Sequence, residues 1–324
     1  MSATQLNALL DRAAHRPATE PRQRPALSLA EREALAEALA DQYEIVYLIG
    51  QGGMGAVYLA RCRTLDRLVA IKVLAPELAR SDASRERFRR EARAAARLMH
   101  PGIVPLHAFG EKDGFAYIVM GFVRGESLAA RLRREGTLPP DETRQILLEL
   151  AQTLEYSHRQ GVVHRDVKPD NILVDRESGR LLLTDFGIAK LRTFDPAPAG
   201  EEAVGTPHYM APEQALGERD VDGRADVSAL GVLGYVLLTG RAPFEGETLQ
   251  ELICQHVTAA PVPLRALAPH VPPELAGVIM RCLAKEPRDR WRDAAELTRA
   301  LEKAKTGPGW RWWGMVAGMM AAIV

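Results

Sequence analysis

The chain has 324 residues and carries equal numbers of basic and acidic side chains, 42 of each, so its formal net charge is zero. This balance argues against a nucleic-acid partner, and any anion-binding site must be local. The three cysteines are scattered and have neither the pairing of a disulfide framework nor the spacing of a zinc site, which favours a reducing, cytoplasmic setting.

Residues 1–42 are expected to form an N-terminal extension that is flexible in part. Three prolines between residues 16 and 25 are typical of a linker. The stretch that follows contains helix-forming residues, and Ser28 and Glu31 have the spacing of a capping box. We therefore predict a short helix over residues 28–40.

A glycine cluster comes next, in the sequence GQGGMGAVY that begins at Gly50. Gly50, Gly52 and Gly55 match the pattern Gly-x-Gly-x-x-Gly, which occurs in ordinary turns and also in dinucleotide-binding folds, where it opens a helix. The residues after it, AVYLARC, favour a strand, so the glycines are expected to lie in a hairpin turn. Such a turn lets backbone N–H groups approach phosphate groups closely.

Lys72 lies within a short apolar strand, VAIK. A lysine in such a strand is most often a solvent-facing residue of an edge strand. Another interpretation comes from the helix predicted over residues 84–99, in which the apolar stripe at helical spacing consists of Phe88, Ala92, Ala95 and Met99. Glu91 borders this inward face, and a buried carboxylate is costly unless a cation meets it. We predict that Lys72 pairs with Glu91 and is held against the phosphates of ATP.

The sequence HRDVKPDN, residues 164–171, contains three groups of different chemistry within eight residues. Asp166 would accept or orient the proton of a substrate hydroxyl, and Lys168 would stabilise a transferring phosphoryl group. Asn171 would hold a magnesium ion. A polar turn before a strand is the simpler interpretation, but it does not explain this order of residues.

Two short apolar runs, ILV and RLLL, flank the turn-forming sequence DRESGR and predict a hairpin. The hairpin would bring Asn171, which precedes it, and Asp185, which follows it, to the same end. Both side chains would then bind metal, as Mg²⁺ or Mn²⁺. The sequence Asp185-Phe186-Gly187 is therefore predicted to be the second part of one site.

Together these motifs resemble those of the protein kinase superfamily, and within it the bacterial serine/threonine kinases, over about residues 43–303. The glycine loop, VAIK, the helix glutamate, HRD with its asparagine, DFG and APE (Ala211-Pro212-Glu213) occur in the expected order. Lys168 and the sequence GTPHYMAPE, which contains Thr206, match the serine/threonine branch.

The resemblance implies an α+β, bilobal kinase fold, with a small β-rich lobe at residues 43–123 and a larger helical lobe at residues 124–303. It implies a signalling enzyme that uses ATP and Mg²⁺ to phosphorylate protein substrates on serine and threonine. It also implies autophosphorylation, with a homodimer for reaction in trans. The alternatives are a scaffold without turnover, which would lack a catalytic residue, and a small-molecule kinase, which would typically lack the APE segment.

The resemblance assigns further residues to the site. The implied ATP-binding residues are Ile49, Gly50, Gly52, Gly53, Gly55, Val57, Ala70, Lys72, Glu91, Met120, Val123 and Leu173. Among them, Val57, Ala70 and Leu173 would enclose the adenine, and Met120 would stand at the gatekeeper position.

The adenine edge would be bound by the backbone of Gly121 and Val123. Gly121 stands where many relatives have an acidic residue, and we expect a modest effect because that contact uses the backbone. Two structural roles are also implied: Glu213 would pair with Arg290, and Asp226 would cap a buried helix over residues 225–238 and orient the catalytic loop.

Arg165 usually meets a phosphorylated threonine in this family. Between the DFG and GTPHY sequences the only hydroxyl residue is Thr193, early in the loop, whereas Glu201 and Glu202 lie nearer the usual phosphorylation site. Our hypothesis is that one glutamate partly replaces the phosphate opposite Arg165. The alternative, weighted equally, is that both glutamates are solvated.

Residues 304–324 contain a Trp-Arg-Trp-Trp cluster followed by an apolar run over residues 314–324. A membrane span needs roughly 20 apolar residues, so one interpretation is a short tail that packs on the domain. The interpretation we favour is a juxtamembrane segment and the start of a truncated transmembrane helix, with an aromatic belt and basic residues on its cytoplasmic side. The kinase domain would then lie in the cytoplasm at the inner face of the cell membrane.

Overall fold

A computed structural model describes residues 27–52, 55–186, 207–218 and 220–304. Within these ranges a β-rich lobe precedes a helical lobe, which confirms the predicted α+β, bilobal fold. The first lobe contains α1 (Leu29–Leu39), β1 (Tyr43–Gly52), β2 (Gly55–Cys62), β3 (Arg67–Leu74), α2 (Pro76–Ala79), α3 (Asp82–Ala95), β4 (Leu106–Lys112) and β5 (Phe115–Gly121).

The second lobe begins with a small sheet and continues with helices. Its elements are β6 (Gly125–Ser127), α4 (Leu128–Glu135), α5 (Pro140–Arg159), β7 (Ile172–Asp175), β8 (Leu181–Leu183), α6 (Pro212–Ala215), α7 (Arg224–Thr239), α8 (Leu249–Thr258), α9 (Leu264–Leu267), α10 (Pro273–Cys282) and α11 (Ala294–Lys303). Short 3-10 turns lie at Pro169–Asn171, Pro207–Tyr209 and Pro287–Asp289.

The five strands of the first lobe form an antiparallel sheet in the order β1-β2-β3-β5-β4. β3 is the central strand, because it pairs with β2 on one side and β5 on the other. Its sequence, RLVAIKVL, is a continuous apolar run apart from its two basic residues, which is typical of a buried strand. Lys72 therefore does not lie on an edge strand.

α1 packs on one face of this sheet. Leu35 and Leu39 are buried in one cluster with side chains of β2, β3 and β5. The Ser28 hydroxyl accepts a hydrogen bond from the Glu31 N–H (3.3 Å), and the Ser28 N–H donates to the Glu31 carboxylate (2.7 Å), which confirms the predicted capping box. The described part of the predicted extension is thus a helix that belongs to the core of the first lobe.

α1 and α3 cover opposite faces of the sheet. Ile71 and Val73 belong to the cluster beneath α1, whereas Leu74 belongs to a second cluster with Phe88 of α3. Since side chains alternate across a strand, Lys72 points to the same face as Leu74. The lysine is therefore directed toward the side of the sheet that carries α3.

The predicted helix around Glu91 is observed as α3, which begins at Asp82 and ends at Ala95. The Ser81 hydroxyl caps it by accepting from the Ser84 N–H (3.3 Å). Glu91 is only 7% exposed, as its place beside the apolar stripe predicts. The assignment of Met99 to that stripe was wrong: its side chain is 86% exposed, because the chain leaves the helix after Ala95.

α7 is the central helix of the second lobe, and nearly all its residues are buried. It packs with α5, α10 and α11 in one hydrophobic core. A helix that is apolar on all sides is stable only when other elements surround it. The helix predicted over residues 225–238 is therefore confirmed, with one further residue at each end.

The predicted hairpin after the HRD sequence is also confirmed. β7 and β8 pair antiparallel, with Ile172 opposite Leu183. Beyond this pair, the Thr184 N–H donates to the Asn171 carbonyl (3.0 Å). The two segments of the hairpin therefore remain side by side as far as Thr184, the residue before Asp185.

No helix within the described ranges has the length and apolarity needed to cross a membrane. The segment predicted to lead into such a helix is residues 304–324, and all of it beyond Ala304 lies outside those ranges, as do residues 1–26. Membrane association therefore remains a prediction from sequence.

Candidate active site

The described glycines of the cluster lie at the end of β1 and the start of β2, with Gly52 opposite Gly55. This confirms the hairpin and excludes the helix start of a dinucleotide-binding fold. A Cβ on Gly55 would lie 1.8 Å from the Val73 carbonyl oxygen, and the φ of +142° also favours glycine. A Cβ on Gly50 or Gly52 would meet no atom of the described chain within 4 Å. Packing therefore requires glycine at only one of these three positions; Gly53 lies outside the described residues.

Lys72 lies in the central strand between Val57 of β2 and Ile118 of β5, and it is 7% exposed. Its Nζ forms an ion pair with Asp185 Oδ2 at 2.7 Å. Helical periodicity correctly placed Glu91 on the inward face of α3, where it is buried. Its pairing with Lys72 stays a prediction.

The other predicted nucleotide-binding residues lie on or next to strands of the two sheets. Ile49 and Gly50 lie in β1, Val57 in β2, Ala70 in β3, Met120 near the end of β5, Val123 just beyond β5, and Leu173 in β7. Ala70 lies opposite Met120 in the β3–β5 ladder. Met120 also borders a cavity that reaches Glu91 of α3 and Phe186.

Gly121 uses its N–H to donate to the Pro105 carbonyl (2.9 Å). Any contact from Gly121 to an adenine must therefore use its carbonyl oxygen. A Cβ on Gly121 would lie 3.1 Å from Pro105 Cγ, which is a tight contact. A larger residue at position 121 would therefore require a small shift of the Pro105 ring.

The catalytic loop brings its three predicted residues together. Asp166 Oδ2 accepts hydrogen bonds from Lys168 Nζ and from Asn171 Nδ2, both at 2.9 Å. Asn171 Nδ2 also donates to the Asp166 carbonyl (2.8 Å). The loop therefore holds one oxygen of Asp166 with two donors and places a cation directly beside the carboxylate.

Asp226, fully buried at the start of α7, fixes the backbone of this loop. Its carboxylate accepts from the N–H groups of His164 (2.8 Å) and Arg165 (2.7 Å) and binds His158 Nε2 (2.8 Å). Burial alone would raise the pKa of Asp226, but the bond from His158 and the nearby charges outweigh it and lower that pKa. These are the contacts that the predicted orienting role requires, and the role itself stays a prediction.

The predicted capping role of Asp226 was wrong. The helix begins after Gly223, without a side-chain cap, and the carboxylate serves the catalytic loop instead. His158 was not predicted at all, because it lies near the end of α5, 68 residues from its partner, and belongs to none of the recognised motifs.

The His164 ring connects the catalytic loop to the DFG segment. Its Nδ1 accepts from the Asp166 N–H (3.2 Å), so the proton lies on Nε2, which donates to the Thr184 carbonyl (3.0 Å). The ring also packs against Phe186, with centroids 4.5 Å apart. A single buried imidazole therefore links the Asp166 backbone to the residues on either side of Asp185.

Glu213 and Arg290 form the predicted ion pair. Two parallel hydrogen bonds of 2.7 Å join the guanidinium to the two carboxylate oxygens. Both side chains are almost fully buried. The remaining donors of Arg290 bind the carbonyl oxygens of Ala284, Arg224 and Lys285.

The Arg165 guanidinium forms no ion pair with a carboxylate of the described residues. Its Nη2 donates to the Val221 carbonyl (3.1 Å). The residues proposed to regulate it, Thr193, Glu201, Glu202 and Thr206, lie outside the described residues. The choice between a phosphate and a glutamate opposite Arg165 therefore stays open.

Asn171 and Asp185 offer oxygen atoms suited to a hard divalent cation. The Asn171 amide nitrogen is taken by Asp166, so Oδ1 is the atom left to bind metal. Across the described part of the chain, no group of three or more His, Cys, Asp or Glu residues has the arrangement of a metal site. A cation here would need phosphate or water oxygens as well, as Mg²⁺ does in phosphoryl-transfer enzymes.

The two-lobed fold, the buried lysine and the carboxylate held by lysine and asparagine define a protein kinase domain. Comparison with known proteins agrees, since the protein kinase domain family matches residues 43–301. The chain belongs to this family, and its relatives place it among the bacterial serine/threonine kinases.

The chain is 40% identical over 275 residues to the serine/threonine-protein kinase PknB of Mycolicibacterium smegmatis, covering 83% of this chain and 44% of that protein. It is 37% identical over 266 residues to PrkC of Bacillus subtilis, covering 82% and 41%. The crystal structure of the Mycobacterium tuberculosis PknI kinase domain has a TM-score of 0.67 and 34% identity, covering 82% of this chain and 96% of that one. The chain thus spans less than half the length of the PknB and PrkC proteins.

Proposed function

We propose that this chain transfers the γ-phosphate of ATP to serine and threonine hydroxyls of protein substrates, its own chain included. The observation that carries the proposal is the arrangement around Asp166, whose Oδ2 accepts from both Lys168 and Asn171 at 2.9 Å. Phosphoryl transfer depends chiefly on positioning and on charge stabilisation, and these residues supply both.

In the proposed reaction, the substrate hydroxyl oxygen forms a bond to the γ-phosphorus while the bond to the β–γ bridging oxygen breaks. The hydroxyl proton passes to the Asp166 carboxylate, and ADP leaves with the bridging oxygen. Lys168, 2.9 Å from Asp166 Oδ2, would offset negative charge on the transferring group.

For the nucleotide, we propose that Val57, Ala70 and Leu173 enclose the adenine and that the glycine hairpin covers the phosphates. The open space above Gly50 and Gly52 supports this, because packing within the chain does not require glycine there. Lys72 would bind the phosphates, which must then compete with Asp185 for its ammonium group.

We propose Mg²⁺ as the metal, held by Asn171 and Asp185. When bound, the cation would neutralise the phosphate charge that develops during transfer. Both residues present oxygen at one end of the β7–β8 hairpin, which fits a hard cation better than the thiolate and imidazole sites of zinc. Mn²⁺ would satisfy the same ligands.

The experiment is phosphate transfer from radiolabelled ATP, with MgCl₂, to casein and to the chain itself. Asp166→Asn should reduce the rate by roughly 10³-fold or more, since it removes the proposed base while keeping its shape. Asp113→Asn, an exposed substitution in the β4–β5 turn, should leave the rate unchanged. A folded wild-type chain that transfers no phosphate would instead be a scaffold.

We also propose that residues 304–324 associate with a membrane and hold the kinase at its cytoplasmic face, where two copies would phosphorylate each other in trans. The support is the sequence of this segment alone. Flotation with anionic lipid vesicles tests it: the full chain should float, and a chain ending at residue 303 should not. Equal behaviour of the two would exclude the proposal.

A further inference from the structure

Gln214, in the short helix α6, binds two backbone groups at once. Its Oε1 accepts a hydrogen bond from the Ala211 N–H (3.0 Å), and its Nε2 donates to the Arg165 carbonyl (2.9 Å). The first bond is local, whereas the second reaches the residue immediately before the proposed base. One amide side chain therefore joins the APE segment to the catalytic loop.

The peptide group between Arg165 and Asp166 is held at both of its polar ends by side chains. Gln214 holds its carbonyl oxygen, and His164 Nδ1 accepts from its N–H (3.2 Å). On the other side of Arg165, the N–H donates to Asp226 (2.7 Å). No rotation of this peptide is possible without breaking at least one of these bonds.

These bonds matter because Arg165 has a φ of +67°, in the left-handed region that residues other than glycine disfavour. A strained backbone persists only where its surroundings determine it. The contacts of the Asp166 carboxylate do not do so, since Lys168 and Asn171 belong to the same loop and would move with it. The side chains from outside the loop that bind the Arg165 backbone are those of Asp226 and Gln214.

Gln214 is presented from a fixed support. The preceding residue, Glu213, forms the buried pair with Arg290, which ties α6 to the turn at Pro287–Asp289. The distance from Gln214 to the catalytic loop is therefore set by the second lobe and not by the loop itself.

We propose that Gln214 is a positioning residue for catalysis, which holds the Arg165–Asp166 peptide and thereby directs the Asp166 carboxylate at the substrate hydroxyl. The proposal rests on the proposed kinase activity. It also implies that displacement of the APE segment would be transmitted to the base through a single hydrogen bond.

The test compares two substitutions of this residue. Gln214→Glu has the same shape and keeps the acceptor for the Ala211 N–H, but it loses the donor and places a carboxylate beside the Arg165 carbonyl. Gln214→Met removes both bonds. The matched control is Gln152→Glu, the same change at an exposed position of α5.

For casein phosphorylation at pH 7.5, Gln214→Glu should lower kcat roughly 10- to 100-fold, as expected when a catalytic group is slightly misplaced. The KM for ATP should stay within about twofold, because the Arg165–Asp166 peptide lies outside the proposed ATP contacts. Gln152→Glu should match the wild type in both quantities.

A pH profile separates positioning from a general loss of stability. Near pH 5.5 part of the introduced carboxyl is protonated, and its O–H can again donate to the Arg165 carbonyl. The ratio of Gln214→Glu to wild-type kcat should therefore rise as the pH falls, whereas the ratio for Gln214→Met should not. The other ionisable groups of this region are common to all three proteins, so their own titration enters every rate and cancels in the ratio. They are His164, Arg165, Asp166, Lys168, Asp226 with His158, and Glu213 with Arg290.

Rates are normalised to the fraction of each protein that binds ATP, so that partial unfolding does not count as loss of catalysis. A normalised kcat within twofold of wild type for Gln214→Glu, or a loss that does not respond to pH, would overturn the proposal. If the wild-type chain itself transfers no phosphate, the proposed activity fails first, and that outcome is distinct.

Discussion

Lys72 Nζ lies 2.7 Å from Asp185 Oδ2, so the lysine of the central strand is paired with the carboxylate of the DFG segment. The Lys72 side chain is 9% exposed and that of Asp185 is 25% exposed. A cation this deeply buried is costly without a partner, and Asp185 supplies it. This ion pair therefore joins the first lobe to the DFG segment.

This ion pair should be detectable as an energetic coupling. In a double-mutant cycle with Lys72→Met and Asp185→Asn, we expect the coupling in unfolding free energy to reach about 1–3 kcal/mol, the range for contacting charged residues. The same cycle with Asp113→Asn, an exposed residue of the β4–β5 turn, in place of Asp185→Asn should give less than about 0.5 kcal/mol. Urea denaturation without nucleotide measures both, and an equally small coupling between Lys72 and Asp185 would contradict the prediction.

The Glu213–Arg290 pair and the Glu126–Arg134 pair have similar two-bond geometry but differ in burial. The first is almost inaccessible to solvent, whereas Arg134 and Glu126 are 56% and 37% exposed. Glu213→Gln should lower the unfolding free energy by about 3 kcal/mol, because it leaves a buried guanidinium without its counter-charge. Glu126→Gln should cost less than about 1 kcal/mol. Equal losses would mean that burial does not determine the strength of these pairs.

The sequence predicted those parts of the site that are encoded within short segments. Asp166, Lys168 and Asn171 share one loop, and the hairpin that follows brings Asp185 back beside Asn171, so local pattern was sufficient. The Glu213–Arg290 pair came only from family resemblance, since 77 residues separate its members.

What could not be predicted concerns distances between elements that are remote in sequence. Periodicity placed Glu91 on the inward face of a helix, but no local pattern indicated that Lys72 forms an ion pair with Asp185. His158 and Gln214 were missed for a related reason: their partners, Asp226 and Arg165, are reached only through the packing of the second lobe. An ordinary histidine or glutamine in a helix gives no signal of such a contact.

The packing of α1 on the sheet gives a stability prediction. Leu35 is fully buried against the first lobe, whereas Leu29 on the same helix is 73% exposed. Leu35→Ala should lower the unfolding free energy by about 2–4 kcal/mol, as for other buried leucines. Leu29→Ala should change it by less than about 0.5 kcal/mol. Similar small effects of both substitutions would show that α1 does not contribute to the core.

Two glycines of the hairpin are expected to have different roles: Gly55 is needed for stability and Gly52 for ATP binding. Gly55→Ala should lower the unfolding free energy by about 2 kcal/mol or more, because its Cβ would clash with the Val73 carbonyl and its φ is unfavourable for alanine. Gly52→Ala should leave stability unchanged and raise the KM for ATP roughly tenfold, equal to about 1.4 kcal/mol of binding. An unchanged KM in Gly52→Ala would argue against close approach of the phosphates.

His256 of α8 is a buried histidine outside the candidate active site. It is 2% exposed, its ring lies 4.9 Å from that of Phe244, and its Nε2 has no hydrogen-bond partner in the described structure. Burial, with smaller contributions from the charges of Lys285 and His208, lowers the pKa of His256 to about 4. The folded protein therefore holds this imidazole neutral at pH values where an exposed histidine takes up a proton.

This difference makes stability depend on pH. Between pH 6.5 and pH 4 the unfolded chain binds a proton at residue 256 that the folded chain does not, so acidification favours unfolding. From pH 7 to pH 5 the wild type should lose about 2 kcal/mol more unfolding free energy than His256→Gln, which has no proton to bind. Urea denaturation at the two pH values measures this, with His270→Gln, an exposed histidine, as the control that should behave as the wild type. If His256→Gln loses as much stability as the wild type, the acid sensitivity arises at other groups, such as His208, whose pKa burial also lowers.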